Sequence, residues 1–231
     1  MTIADRVRAL EADIAAACGR SGRARTEVRL VAVSKTRTVE EVIAAARAGI
    51  TEFGENRVQE AAGKIPGVNA GQPGVRWHLV GHLQTNKVKR ALELFELIHS
   101  VDSVRLAEEL QARAAAAGST VEVLVEVNTS GEESKFGVQP ADLTDVVTRV
   151  ARFDRLCLSG LMTIGPGWSI TDPEASRPCF ALLRRLRGEA EQRLGRSLPH
   201  LSMGMSSDYA VGIEEGATMV RVGTAIFGAR G

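Results

Sequence analysis

The chain has 231 residues, with 29 Lys+Arg against 28 Asp+Glu and a net charge of +1. That balance lacks the basic excess of a nucleic-acid-binding domain, and 6 Phe, 2 Trp and 1 Tyr are too few for a base-stacking platform. An apolar share of 44% excludes disorder and fits an ordinary soluble globular protein.

The chain opens with an amphipathic helix over residues 2–18, in which Ile3, Val7, Leu10 and Ile14 fall on one face. Charge is mixed into this segment and no apolar core interrupts it, so it is not read as a secretion signal. No later run approaches a membrane span, and the cytoplasm is the expected compartment. From residue 28 short β-branched runs alternate with alanine-rich helical stretches. The candidate strands are 28–34 (VRLVAVS), 51–55 (TEFGE), 76–81 (RWHLVG), 97–101 (LIHSV), 121–128 (VEVLVEVN), 156–164 (LCLSGLMTI), 200–205 (HLSMGM) and 219–223 (MVRVG). Gly49, Gly118 and Gly216 stand where helices should stop. The Gly/Pro-rich segments 63–75 and 165–174 read as long surface loops. The alternating-sign helix over 185–196 reads as a solvated face.

Strict alternation implies a parallel sheet. The strands begin about 27 residues apart on average, the size of one strand–helix unit. An open doubly wound sheet would alternate in the same way. Eight units that use the whole chain favour instead a closed (β/α)₈ TIM barrel, an α/β fold with one extra N-terminal helix and a single domain over residues 1–231. Cys18, Cys157 and Cys179 are far apart and form no CxxC pair, which argues against a disulfide framework and against structural zinc. His78, His82, His99 and His200 show no metal-ligand spacing, and no metal is expected. Trp77 and Phe53 read as packing residues.

In such barrels the chemistry lies at the C-terminal ends of the strands. Lys35 ends the first apolar strand there. Held in the mouth, its amine would be partly desolvated and shifted toward the neutral form that attacks carbonyls; a solvated strand-end lysine is the plainer alternative. Strand seven runs into Gly204-Met205-Ser206-Ser207-Asp208, and strand eight into Arg221-Val222-Gly223-Thr224. Loops at these two places commonly hold phosphate. Ser206 and Ser207 would equally serve as caps of a helix over 208–215. By the period of two, Arg221 shares a face with Met219 and Gly223 and points inward. It must there meet a partner, for which Glu126 is one candidate, or a ligand heteroatom. A carbonyl-seeking lysine, a phosphate cradle and an inward arginine together describe a pyridoxal 5′-phosphate site.

The segments VAVSKTRTVEEVIAAARAG, TEFGENRVQEA, WHLVGHLQTNKVK, IHSVDS, VEVNTSGEESKFG, LSGLMTIGP, LSMGMSSD and MVRVGTAIFGAR resemble the pyridoxal phosphate homeostasis protein family in order and spacing, from about residue 28 to residue 230. The resemblance implies a barrel like the alanine racemase N-terminal domain, the type III fold of these proteins, with no second domain. It implies pyridoxal 5′-phosphate held as an aldimine on Lys35. Ser206, Gly223 and Thr224 would hold the phosphate, Arg221 would meet the pyridine nitrogen, and Asn56 and Met205 would line the pocket. The implied role is homeostasis of the cofactor by buffering or delivery to apo-enzymes that depend on it, with effects on amino-acid and keto-acid balance, no enzyme activity, and a monomeric state. Two departures stand out. Arg37 occupies a place where some members carry a second lysine, and the chain ends without the lysine-bearing tail of others. Lys135 is kept, as a solvated loop lysine or as a second cofactor site.

An amino-acid racemase acting through the same cofactor is the alternative, and a barrel enzyme acting on a phosphorylated metabolite without it is a third reading. A two-base racemase needs a second acid or base opposite the lysine. The one tyrosine, Tyr209, is expected on the helix after strand seven, poorly placed for that task. Arg221 stays charged and disfavours protonation of the ring nitrogen, which weakens the ring as an electron sink. Both features favour binding over turnover. A colourless preparation that stayed colourless with added cofactor would favour the third reading.

Overall fold

A computed structural model describes residues 1–229. Eight parallel strands close a barrel in chain order: β1 (Arg29–Val33), β2 (Glu52–Glu55), β3 (Arg76–Leu79), β4 (Leu97–Val101), β5 (Val121–Glu126), β6 (Leu156–Met162), β7 (His200–Ser202) and β8 (Met219–Val222). The ring shuts where Val31 of β1 pairs with Glu52 of β2 on one side and Arg221 of β8 on the other. The runs are apolar because helices cover the sheet outside while side chains fill it inside. Leu97, Leu124, Met162 and Met219 pack the barrel centre. The N-terminal ends of the strands are ionic, with Arg29 on Glu52 at 2.8 Å, His200 facing Glu122 at 3.4 Å and, at the exposed rim, Arg76 on Glu96 at 2.9 Å.

The helices are α1 (Ile3–Arg20), α2 (Val39–Arg47), α3 (Val58–Gly71), α4 (Val88–Leu92), α5 (Val104–Ala116), α6 (Leu143–Val150), α7 (Arg177–Leu194), α8 (Tyr209–Glu214) and α9 (Thr224–Phe227). Thr2 and Asp5 form a capping box at the start of α1, whose Val7, Leu10 and Ile14 are buried as its periodicity predicts. α9 has only 4 residues, too few to cover the β8–β1 seam. The extra helix α1 does so, packing on α2, α8 and α9. Gly49, Gly118 and Gly216 follow α2, α5 and α8 with positive φ, as helix stops require.

Two expectations need correction. Several strands are shorter than their apolar runs: 76–81, 121–128, 156–164 and 200–205 stop pairing at Leu79, Glu126, Met162 and Ser202. The surplus apolar residues continue into loops that cover the mouth; Val127, for example, pairs with Val138 in an isolated bridge. The segment 63–75 is not a long loop, because α3 continues through Pro66 to Gly71. Proline inside a helix costs about 3 kcal/mol. Burying Val58, Ile65 and Val68 returns roughly 1.5–3 kcal/mol each, and Pro66 itself faces solvent.

Candidate functional site

Lys35 sits in a tight turn just beyond β1. The Arg37 N–H donates to the Ser34 carbonyl at 3.0 Å, and Thr36 has φ +64°, the left-handed value a type II turn needs at its third position. A β-branched residue resists that conformation, so surrounding bonds must impose it. The Thr36 N–H donates to the Glu60 carboxylate. Beneath the turn, Lys64 Nζ reaches up from α3 and donates to the Ser34 carbonyl at 2.7 Å, Glu55 Oε1 at 2.7 Å and Glu60 Oε1 at 2.9 Å. The Ser34 hydroxyl also donates to Glu55 Oε1, at 2.7 Å. Burial pushes the Glu55 carboxyl up despite these bonds. For Glu60 burial acts in the same direction but is outweighed by the Lys64 and Thr36 hydrogen bonds, which lower it. Arg37 stands away from the mouth, donating to the Gly228 carbonyl at 2.6 Å and lying over the Phe227 ring, so it ties the turn to the segment after β8.

The ends of β7 and β8 meet beside this turn. The Gly223 N–H donates to Ser206 Oγ at 3.2 Å. The N–H groups of Ser206, Ser207 and Thr224 have no acceptor among the described residues. All three residues line one cavity, where open N–H groups suit an anion. Neither serine hydroxyl caps α8, contrary to one expectation. Asp208 occupies the cap position, accepting from the Met205 N–H at 2.7 Å and from the Ser176 hydroxyl at 2.6 Å. Gly223 suits a close approach, since a Cβ there would lie 3.2 Å from the Val33 carbonyl oxygen, a tight contact. Gly204 adopts φ +94°, and a Cβ on it would lie 2.9 Å from Tyr209 Cα.

Arg221 points inward and is only 4% exposed. It donates to Ser202 Oγ at 2.6 Å and to the Thr163 carbonyl at 2.8 Å. Burial lowers its pKa to about 10, with Asp208 and Glu126 acting the other way, so it remains a cation at neutral pH. Glu126 is not its hydrogen-bonded partner. That carboxyl makes no hydrogen bond among the described residues and lines a separate cavity of about 140 Å³ with Asn128, Lys135 and Thr163. Lys135 is not a solvated loop residue either, because its ammonium donates to the Gly165 carbonyl at 2.6 Å and pairs with Glu132.

A cavity of about 480 Å³ collects Lys35, Met205, Ser206, Arg221, Gly223 and Thr224, together with Val33, Ile170 and Ser207. Asn56 is not among them. It lines a neighbouring cavity with Gly81, His82 and Lys87, its Oδ1 buried without a partner among the described residues. A primary amine, open backbone N–H groups and a buried guanidinium around a space of this size fit pyridoxal 5′-phosphate. Tyr209 leaves the mouth for α1, where burial and Asp13 push its phenol up. Sequence reasoning missed Lys64, Glu60, Ser202 and Ile170. Glu60 and Lys64 escaped because the segment from 63 read as a loop, which hid their spacing of four on one helix. Among the described residues no cluster of His, Cys, Asp or Glu is arranged to hold a metal.

Such a barrel, with a lysine after its first strand and a cradle after its last two, defines a protein of the alanine racemase N-terminal class, and the family model described as alanine racemase, N-terminal domain, matches residues 7–231. A protein of Aquifex aeolicus named pyridoxal phosphate homeostasis protein is 42% identical over 230 residues, which cover 100% of this chain and 99% of that one. Its namesake in Escherichia coli K12 is 40% identical over 221 residues, covering 94% and 92% of the two chains. The structure of PipY from Synechococcus elongatus with pyridoxal phosphate bound superposes with a TM-score of 0.85 at 37% identity, over 98% of this chain and 100% of that one. The chain belongs to the pyridoxal phosphate homeostasis protein family.

Proposed function

We propose that this chain binds pyridoxal 5′-phosphate in the 480 Å³ cavity and acts as a reservoir or carrier of the cofactor, not as a catalyst. The observation that carries the reading is the meeting of Lys35, the open N–H groups of Ser206 and Thr224, and Arg221 on one cavity. When bound, the cofactor supplies an aldehyde that reacts with primary amines and a ring that withdraws electrons. Lys35 supplies the amine. The Ser206, Gly223 and Thr224 turn grips the phosphate by charge-assisted hydrogen bonds. Arg221, a cation at neutral pH, would meet the ring nitrogen and keep a proton off it, which would blunt carbanion chemistry. Tyr209 lies against α1 and leaves the mouth without a tyrosine to act as a second base. Recipients would be apo-enzymes that need the cofactor. No helix of the described residues is long and apolar enough to cross a membrane, in keeping with a cytoplasmic reservoir.

The test is spectroscopic. Protein incubated with pyridoxal 5′-phosphate and desalted should keep a visible absorption band that borohydride abolishes and Lys35→Ala lacks. Because the cradle survives, Lys35→Ala should retain measurable affinity. Thr224→Ala should weaken retention by roughly 1–3 kcal/mol, the range for a hydrogen bond to a charged group. Wild-type protein that takes up no cofactor sinks the reading.

A further inference from the structure

The barrel interior carries a row of polar side chains that the cofactor site does not account for. Glu52, His78, His99, Ser202 and Arg221 come from β2, β3, β4, β7 and β8, and each is at most 8% exposed. They are in contact in that order. Arg221 Nη1 lies 2.6 Å from Ser202 Oγ, Ser202 Oγ lies 2.9 Å from His99 Nδ1, and His99 Nε2 lies 3.0 Å from His78 Nδ1. His78 Nε2 then faces Glu52 Oε2 at 3.7 Å. These last two atoms are buried and have no hydrogen-bond partner among the described residues. Glu52 Oε1, by contrast, is taken by Arg29 at 2.8 Å.

Donor and acceptor rules give the row one direction. A guanidinium only donates, so Ser202 Oγ accepts from Arg221. No other acceptor for the serine proton lies within reach among the described residues, so that proton goes to His99 Nδ1. His99 is then protonated on Nε2 and donates to His78 Nδ1. The His78 proton is on Nε2, facing the Glu52 carboxylate. The opposite order would leave the serine proton without an acceptor and set an imidazole lone pair against a carboxylate. Every dipole in the row therefore has its negative end toward Arg221 and its positive end toward Glu52. Among the described residues no carboxylate touches the buried guanidinium, and three aligned neutral dipoles link it instead to the Glu52 carboxylate two strands away around the barrel, both residues pairing with Val31 of β1.

We propose that Ser202, His99 and His78 are positioning residues, a polarised hydrogen-bond chain along the barrel interior that locks the Arg221 guanidinium in the orientation it presents to the cofactor ring. The inference rests on the reading of Arg221 as the ring-nitrogen partner. Burial holds both histidines neutral, with His78 lowered to about 3 by desolvation first and by Arg29 and Arg76 next, which suits links that accept on one nitrogen and donate from the other.

The experiment uses the full chain labelled with ¹⁵N and begins without cofactor. Two-bond ¹H–¹⁵N correlations should show His78 and His99 neutral at pH 7, both protonated on Nε2. The two Nη groups of Arg221 should give separate signals, and Ser202→Ala should merge them. An Nδ1–H tautomer at either histidine, or merged signals in the wild type, overturns the chain. Loaded protein then reads the consequence. His99→Leu should release pyridoxal 5′-phosphate to a trap about tenfold faster and move the wavelength of its visible band, whereas His99→Gln, which can still accept and donate, should change release by less than about threefold. Should His99→Leu fail to fold, Ser202→Ala cuts the same chain with a smaller change and is expected to match it. Wild-type release and an unshifted band in a folded cut variant would overturn the positioning role. Wild-type protein that binds no cofactor would defeat the functional reading instead, while the Arg221 signals still decide whether the chain exists.

Discussion

Thr36 holds a conformation that its own side chain opposes. A left-handed backbone costs a residue with a Cβ roughly 1–2 kcal/mol, and more when the side chain branches there. Nothing about the threonine hydroxyl repays this, because it makes no hydrogen bond among the described residues. The conformation is imposed from outside, by the Thr36 N–H on Glu60 and by Lys64 on the Ser34 carbonyl. The consequence is a stiff turn at the residue that follows Lys35. Glycine would remove the strain at an entropic cost of about 0.5–1 kcal/mol in the unfolded chain. Thr36→Gly should therefore leave the cofactor-free protein as stable as wild type, or up to about 1 kcal/mol more stable, in urea denaturation. Thr36→Pro, which forces φ to about −65° and deletes the bonded N–H, should cost more than 2 kcal/mol. If the glycine variant proved the less stable of the two, strain at this turn would be the wrong account.

Among the elements, α3 does more than cover β2, because it delivers Lys64 into the floor of the Lys35 turn. Lys64 and Glu55 have side chains 7% and 0% exposed, so neither charge is solvated. Removing one partner of such a pair strands the other, at about 3–5 kcal/mol. Lys64→Met should show a loss of that order in urea denaturation. Adding Glu55→Gln to it should recover more than half, because the stranded charge is then gone; a double variant no better than the single would mean that Lys64 acts through packing alone. This element also marks where the sequence stops being readable. The strands could be read from apolar runs such as Leu30–Val33, and Lys35, Ser206 and Gly223 from their places at strand ends. Those signals are local. Pro66 and three nearby glycines hid α3, because its stability comes from burial of Val58, Ile65 and Val68 and not from propensity. The chain from His78 through His99 to Ser202 was out of reach for another reason. Its members lie 21 and 103 positions apart and meet only through the register of strands around a closed barrel. Asn56 shows the limit of the resemblance, since it directly follows β2 and yet lines the neighbouring cavity.

For the molecule as a whole, stability against pH is set by groups that folding removes from water, and two kinds oppose each other here. Burial raises the Glu126 carboxyl from 4.5 to about 7, Asp102 adding to the shift and Arg221 opposing it. Below pH 4.5 the group is protonated in both states and contributes no difference. Between pH 4.5 and 7 the unfolded chain loses this proton while the native protein keeps it, so stability falls as pH rises. Above pH 7 the penalty is constant, at about 3 kcal/mol. His78 and His99 act in the reverse sense. Both are held below 6.5, so the unfolded chain takes up protons that the native interior refuses, and stability falls as pH drops below 6.5. The overlap hides either effect in a single wild-type curve. A difference curve separates them, because Glu126→Gln leaves the histidines in place. Measured by urea denaturation at pH 5, 6.5 and 8, the stability of Glu126→Gln relative to wild type should improve by about 2.5 kcal/mol from the first pH to the last, most of it gained by pH 7. A constant difference across the three values would mean that Glu126 ionises in the folded barrel as it does in the unfolded chain, and that burial at the mouth does not hold its proton.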